Sequence, residues 1–227
     1  AGYDDRYWAQ ACCVGQYPDA PWGRLEARPI PHFRDFGLTE YARLEGKAPG
    51  CVRAHLPHAA QISPFFRIDA KAEGLRIDVR TDRYEVNGGP GDTHHRYRGH
   101  RLAYTTRFGI QEFEYPYWLF GEAVLYDVPD GVEILALGYR ESGYACGFEG
   151  EFQSGDVFLD TLHGMCRRTL YACMRDNYMD CPDRERGQWI GDVSSQVPQT
   201  FYALGRQADA RTRKAISDFI RWRNGRI

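Results

Sequence analysis

The spacing of apolar residues changes once along the chain, and this change constrains the fold more than any other feature. Before about residue 153, apolar and polar residues alternate, as in Leu75, Ile77 and Val79. After Asp156, apolar residues recur at steps of three and four. Period two predicts half-buried strands, whereas steps of three and four predict amphipathic helices. We therefore predict a strand-rich part, then a helix-rich part, joined at residues 153–156.

The strand-rich part contains several short alternating runs separated by turn signals. The predicted strands lie in 62–86, Leu102–Thr106, Gln111–Tyr115, Val124–Val128 and Val132–Tyr139. Glycine- and proline-rich segments at Asn87–Asp92 and Pro129–Gly131 predict turns. Many short strands with regular turns are typical of an antiparallel β-sandwich, which is the fold class we expect here.

The helix-rich part is predicted to contain three amphipathic helices. The first carries apolar residues from Phe158 to Cys173, with Ser154 or Asp156 as its N-cap. The second runs from Val193 to Leu204, with Pro198 in its first turn or at a kink. The third is predicted to be capped by Asp209 and to have an apolar face formed by Ala215, Ile216, Phe219 and Ile220. Each helix has one apolar stripe, which needs a partner to cover it.

Charge and hydropathy exclude two classes of partner. The formal net charge is −2, and nucleic-acid binding needs a concentrated basic face. The longest basic segment, His94–Arg101, is interpreted as a solvated loop. No run of about twenty apolar residues occurs, so we expect no membrane span. The sequence thus predicts neither a nucleic-acid partner nor a membrane partner.

The seven cysteines predict neither a metal site nor a disulfide framework. Their number is odd, and none has the CxxC or Cys/His spacing of a zinc site. Cys166 and Cys173 fall in a helical pattern and are predicted to be buried thiols. Free thiols favour a reducing compartment such as the cytoplasm, and secreted or periplasmic placement of a longer parent protein stays open. We expect no metal and no cofactor.

Residues 176–192 are the segment in which we expect chemistry. Five acidic residues, two arginines and Trp189 lie there, between two apolar helices. Arg/Asp pairs often simply hold a loop together, and composition alone favours that interpretation. The same residues also suit glycoside hydrolysis, in which one carboxyl group protonates the leaving oxygen and a second carboxylate activates water.

Glu185 is the candidate acid of this segment. Such an acid has to stay protonated near neutral pH, through burial or through neighbouring carboxylates. Arg184 and Arg186 oppose this if they pair with Glu185, and they assist if they bind Asp180 and Asp192 instead. Trp189, four residues further on, can supply an apolar wall or a stacking platform for a sugar.

A specific motif in this segment resembles a known family. Its parts are Asp180-Cys181-Pro182, Arg184, Glu185-Arg186 and Trp189-Ile190-Gly191-Asp192. Together they resemble the signature of glycoside hydrolase family 78, the bacterial α-L-rhamnosidases. Trp22–Pro31 is similar to that family's linker into its sandwich, and Val132–Tyr144 is similar to a late sandwich strand.

The resemblance implies a fold, a reaction and roles for residues. The fold is a β-sandwich followed by an (α/α)6 toroid, and the reaction is inverting hydrolysis of terminal α-L-rhamnosides. Glu185 corresponds to the general acid, and Asp180, Arg184, Trp189 and Asp192 are implied to bind the sugar. The family's general base is a Glu further along the toroid than these 227 residues extend. The chain alone is therefore expected to be inactive or nearly so.

The hydrophobic pattern and the family resemblance together predict a division of the chain into three segments. Residues 1–42 are predicted to be the end of a preceding β-rich unit and a linker, 43–153 the sandwich, and 154–227 the start of the catalytic toroid. One alternative is a non-catalytic carbohydrate-binding sandwich that uses Tyr115, Tyr117 and Trp118, although core and edge packing of these rings is favoured. Another is a structural fragment that forms homo-oligomers through its uncovered helices.

Overall fold

The computed structural model describes residues 6–19, 23, 25–84 and 98–223. The strands are β1 (Arg34–Thr39), β2 (Arg43–Glu45), β3 (Gly50–Ala70), β4 (Arg76–Thr81), β5 (Arg101–Thr105), β6 (Gly109–Glu114), β7 (Leu119–Val128) and β8 (Val132–Gly143). A short 3-10 helix spans Arg98–His100, and the α-helices are α1 (Val157–Ala172), α2 (Ile190–Ala203) and α3 (Ala208–Arg223). The predicted turn Asn87–Asp92 and residues 94–97 lie outside the described residues.

The eight strands form one antiparallel sheet built around β3. The order is β1-β8-β3-β7-β4-β5, and β2 and β6 also pair with β3. β3 is 21 residues long, so different parts of it pair with different neighbours. Its first half pairs with β2 and β7, and its second half pairs with β6 and β8. β3 is therefore the central strand of the sandwich and pairs with four other strands.

β3 is bent, so the sheet packs against itself. Tyr126 of β7 pairs with Val52, yet its ring lies 6.4 Å from the ring of Phe66. The segment from Val52 to Phe66 would span roughly 46 Å if it were straight. A register shift between His55 and Ala60 marks the bend. The rings of the two halves therefore meet in one core, as expected of a sandwich.

The core confirms the predicted alternation. Phe66, Ile68, Ile77 and Val79 are all buried, whereas their sequence neighbours are less so. β1 lies within residues 1–42, the segment predicted as the end of a β-rich unit and a linker, and it pairs with β8. The eight-stranded sheet therefore includes residues before 43.

The helices begin and end close to the predicted positions. Asp156 is the N-cap of α1, and its Oδ1 accepts the backbone N–H groups of Phe158 and Leu159 at 2.8 and 3.3 Å. This confirms one of the two predicted caps. α3 begins at Ala208, so Asp209 lies in its first turn, and the prediction that it caps the helix was wrong. Pro198 lies inside α2, well past the first turn.

Much of the apolar surface of the helices is exposed. Leu170 and Tyr171 at the end of α1 are buried, but Phe158 and Met165 are exposed. The prediction that Cys166 is buried was wrong, whereas Cys173 is buried as predicted. On α3, Ile216 and Ile220 are also exposed. The reason is the same throughout: no described element packs over these faces. None of the described helices is long and apolar enough to cross a membrane.

Polar contacts join the helices to the sandwich. The Gln61 side-chain amide of β3 donates to the Ala172 carbonyl at 2.6 Å. Arg168 of α1 donates to the Ala59 carbonyl at 3.1 and 3.0 Å and pairs with Glu141 of β8 at 2.6 Å. The Tyr171 hydroxyl donates to the Tyr144 carbonyl at 2.8 Å. These bonds fix the start of the loop after α1, and this loop carries the candidate site.

Candidate active site

The segment from Asp180 to Gly187 closes on itself. The Asp180 N–H donates to the Gly187 carbonyl at 3.0 Å, and the Gly187 N–H donates to Asp180 Oδ1 at 2.9 Å. The Asn177 side-chain amide donates to the Arg186 carbonyl at 3.1 Å. Arg186 has a φ of 55°, which non-glycine residues rarely adopt. These bonds hold the loop in a shape that presents Glu185 at its tip.

Glu185 lies between an indole and a guanidinium group. The Trp189 indole N–H donates to Glu185 Oε2 at 3.0 Å, and Arg184 Nη2 lies 2.6 Å from Glu185 Oε1. The Glu185 side chain is 41% exposed, so its carboxyl group is reachable from outside. Trp189 is the N-cap of α2, and this position places its indole beside the Glu185 side chain, four residues earlier in the sequence. The structure thus brings together three of the five predicted site residues.

The two predicted sugar-binding aspartates lie close to the buried Cys173 thiol. Burial raises the pKa of the Cys173 thiol to about 12, and the negative charges of Asp180 and Asp192 add to this rise. One Asp180 oxygen is occupied by the loop closure described above. Asp192 lies in the first turn of α2, and its carboxylate makes no hydrogen bond or ion pair with any described residue. Asp192 is therefore free to bind a hydroxyl group.

His100 of the sandwich anchors the loop, and no sequence pattern indicates this role. Its side chain is fully buried, Nε2 donates to the Asp183 carbonyl at 2.5 Å, and Nδ1 accepts the Phe120 N–H at 3.3 Å. Burial lowers the pKa of the imidazole. The prediction of a solvated loop over His94–Arg101 was therefore wrong for His100. A neutral, buried histidine connects the sandwich to the residues before Glu185.

Trp118 packs at the same junction. It lies in the loop between β6 and β7 rather than in a strand, and it is 7% exposed. The guanidinium carbons of Arg186 and Arg175 lie 3.6 and 4.8 Å from its ring centroid. Because two cations cover this ring, it offers no open platform for a sugar, which weighs against the carbohydrate-binding-module alternative. Among the residues with described positions, no cluster of metal-binding side chains occurs.

The helical part of the chain matches one family model. Residues 148–221 match the family model described as the bacterial α-L-rhamnosidase six-hairpin glycosidase domain. No curated protein matches the chain.

Solved structures are similar over most of the chain. The GH78 rhamnosidase of Bacillus sp. GL1 is 25% identical over 69% of this chain, with a TM-score of 0.59. The α-L-rhamnosidase of Dictyoglumus thermophilum is 16% identical over 82%, with a TM-score of 0.67. The Streptomyces avermitilis α-L-rhamnosidase, solved with L-rhamnose, is 19% identical over 83%, with a TM-score of 0.66.

The chain spans only part of these relatives. It covers 16%, 22% and 18% of the three structures, respectively. Residues 148–221 are thus similar to the bacterial α-L-rhamnosidase six-hairpin glycosidase domain, and the chain is similar in structure to the GH78 rhamnosidase of Bacillus sp. GL1 over 69% of its length.

Proposed function

We propose that Glu185 is the general acid of an inverting glycosidase that hydrolyses terminal α-L-rhamnosides. The observation that carries this proposal is the Trp189 indole N–H bonded to Glu185 Oε2 at 3.0 Å on an exposed loop tip. This bond fixes one oxygen of the carboxyl group and leaves the group accessible. A leaving oxygen needs such a positioned acid within hydrogen-bonding reach.

Arg184 has to move for this acid to work. Arg184 Nη2 lies 2.6 Å from Glu185 Oε1, and this oxygen has to be free to reach the leaving oxygen of the substrate. The Arg184 and Glu185 side chains are 44% and 41% exposed, so their ion pair is solvated and opens at little cost. We propose that Arg184 turns from Glu185 to the sugar hydroxyls as rhamnose enters.

The rhamnose hydroxyls are proposed to bind Asp180, Arg184, Trp189 and Asp192. The Asp192 carboxylate is free among the described residues, and Trp189 is half exposed beside Glu185. Flat indole faces suit the apolar side of a deoxy sugar, and carboxylates accept hydrogen bonds from its hydroxyl groups. The substrate is thus a rhamnose-containing glycoside, and the rhamnose-bound relative from Streptomyces avermitilis supports a sugar of this class.

Inversion needs a second carboxylate that activates water on the opposite face of the sugar. We propose that this base, and the rest of a closed (α/α)6 toroid, belong to a longer protein that contains these residues. The 227 residues alone are then inactive or nearly so, because loss of a base costs about a hundredfold to ten-thousandfold.

The test compares hydrolysis of an aryl α-L-rhamnoside by the protein that includes the remaining helices and by its Glu185→Gln variant. Glutamine keeps the shape and accepts the Trp189 N–H, but it has no proton to give. We expect a loss in kcat of about a hundredfold or more. A matched control is Glu151→Gln, which alters an exposed carboxyl group away from the loop. Equal rates for Glu185→Gln and the unaltered protein would remove Glu185 from the mechanism.

The stereochemical part of the proposal needs a separate measurement. Proton NMR of the first-formed sugar distinguishes the two anomers before they equilibrate. Inversion of an α-rhamnoside yields β-L-rhamnose first. Initial release of α-L-rhamnose would contradict the inverting mechanism and leave the rhamnosidase assignment unchanged.

A further inference from the structure

A cavity of about 490 Å³ lies between the sandwich and the loop after α1. Its volume falls in the range of sites for small molecules. The residues that matter for its chemistry are Phe33, Tyr117, Trp118, Arg175, Asp176 and Arg186. Glu185 is not among the described residues that line it.

Arg175 lines this cavity, and one edge of its guanidinium group, formed by Nε and Nη2, has no hydrogen-bond partner among the described residues. Its guanidinium carbon lies 4.0 Å from the Phe33 ring centroid and 4.8 Å from that of Trp118. Nη1 donates to Gln61 Oε1 at 2.6 Å and to Ser142 Oγ at 3.1 Å, so this edge is fixed. Nε and Nη2 make no hydrogen bond to any residue whose position is described. Arg175 is only 8% exposed overall, and neither of these two donors is among the fully buried atoms without a partner, so both keep accessible surface.

Arg186 adds a second buried cation to the same cavity. Its Nε donates to the Pro182 carbonyl at 3.1 Å, while Nη2 is buried without a partner in the described part of the chain. Burial lowers the pKa of both arginines, and that of Arg175 falls to about 10, so Arg175 stays charged at neutral pH. The charge of Arg186 is also among the causes that lower the pKa of Arg175, which shows that the two cations repel each other.

The described cavity wall carries one carboxylate against these two cations, and its charge favours the charged form of Arg175. Asp176 is the only carboxylate among its described lining residues, and it forms an ion pair with Arg28. A buried guanidinium donor without a partner, such as Arg186 Nη2, is costly unless an anion or acceptor satisfies it, and the open donors of Arg175 are available to the same anion. A planar guanidinium edge fits a carboxylate, which accepts two parallel N–H bonds.

We propose that this cavity binds the carboxylate of a ring-sized organic acid, with a uronic acid as the class of ligand. The carboxylate accepts hydrogen bonds from Nε and Nη2 of Arg175, and the positive charge of Arg186 attracts it further. The space beside it and the half-exposed Tyr117 ring accommodate a sugar ring. This binding does not depend on the hydrolase function proposed above, because neither Glu185 nor Trp189 lines the cavity.

Isothermal titration calorimetry of the 227-residue chain with D-galacturonate, D-galactose and acetate tests the proposal. We expect one site for galacturonate, with galactose and acetate each weaker by about tenfold or more, since each lacks either the charge or the ring. Arg175→Met and Arg186→Gln should each weaken galacturonate binding by about tenfold or more. Thermal unfolding shows whether each variant is folded, and Arg186→Gln keeps the test valid if Arg175→Met does not fold.

Arg167→Gln is the matched control. Arg167 also stacks on an aromatic ring, 5.1 Å from the centroid of Phe148, but it does not line the cavity. Its loss should leave galacturonate binding unchanged. The proposal is overturned if galacturonate and galactose bind equally, if acetate binds as well as galacturonate, if galacturonate does not bind, or if a folded Arg186→Gln variant binds as before.

Discussion

Replacing His100 by leucine should loosen the loop that carries Glu185. It should also lower the free energy of unfolding, because two hydrogen bonds of the imidazole are lost. The imidazole is fully buried and bonds the Asp183 carbonyl and the Phe120 N–H. Leucine fills a similar volume but supplies neither bond. The Phe120 N–H is then left unpaired at a buried residue, which costs about 1–3 kcal/mol, and the lost bond to Asp183 costs about 1 kcal/mol. We expect the variant to be less stable by about 2–4 kcal/mol at pH 7.5.

The difference should shrink in acid. Burial, with smaller contributions from Arg186 and Arg83, lowers the pKa of folded His100 below the ordinary 6.5, although the contact with Asp183 opposes this. As pH falls below about 6.5, the unfolded chain therefore binds a proton that the folded chain does not. The unaltered protein loses stability in this window, down to the folded-state pKa, and the leucine variant lacks this loss. The destabilisation measured at pH 5.5 should be smaller than at pH 7.5.

Urea unfolding at both pH values measures these quantities. His163→Leu is the control, because His163 is partly exposed and only stacks on Phe152 with ring centroids 4.7 Å apart. Its loss should cost less than about 1 kcal/mol. Equal effects of His100→Leu and His163→Leu would refute the idea that His100 anchors the loop. A His100 effect that grows as the pH falls would refute the buried neutral state.

Three further changes have defined outcomes. Arg168→Gln removes the ion pair with the largely buried Glu141 and should lower the free energy of unfolding by about 1–3 kcal/mol, measured by urea unfolding. Asp156→Ala removes the N-cap of α1 and should cost about 1 kcal/mol in the same assay. Trp189→Phe keeps a ring but removes the N–H bonded to Glu185; in the protein with its remaining helices, kcat for an aryl rhamnoside should fall by about two- to tenfold.

The sequence predicted the order of structural elements because hydrophobic period is a local property. The alternating run through Ile77 and Val79 and the cap at Asp156 were both found as predicted. The bend of β3 was not predictable in this way, because it depends on contacts between residues as distant as Phe66 and Tyr126. The apolar face of α3 was also predicted, but whether Ile216 and Ile220 are buried depends on a covering element, which period alone does not determine.

The candidate site was predictable only where its residues lie close together in sequence. Trp189 and Glu185 are four residues apart, so their contact follows from a short motif. His100 and Arg175 act across the junction between sandwich and helices, and their partners lie 83 and 114 residues away. No local pattern marks such partners. In a segment with several charges, a buried histidine cannot be told from a solvated one before the fold is known.

The role of Glu185 as general acid is tested most directly by varying the leaving group. A 2,4-dinitrophenyl α-L-rhamnoside leaves without protonation, whereas an alkyl α-L-rhamnoside needs a proton on its oxygen. In the protein with its remaining helices, Glu185→Gln should hydrolyse the first at close to the unaltered rate and the second about a hundredfold to ten-thousandfold more slowly. An equal loss for both substrates, or no loss for either, would contradict the assignment of Glu185 as the proton donor.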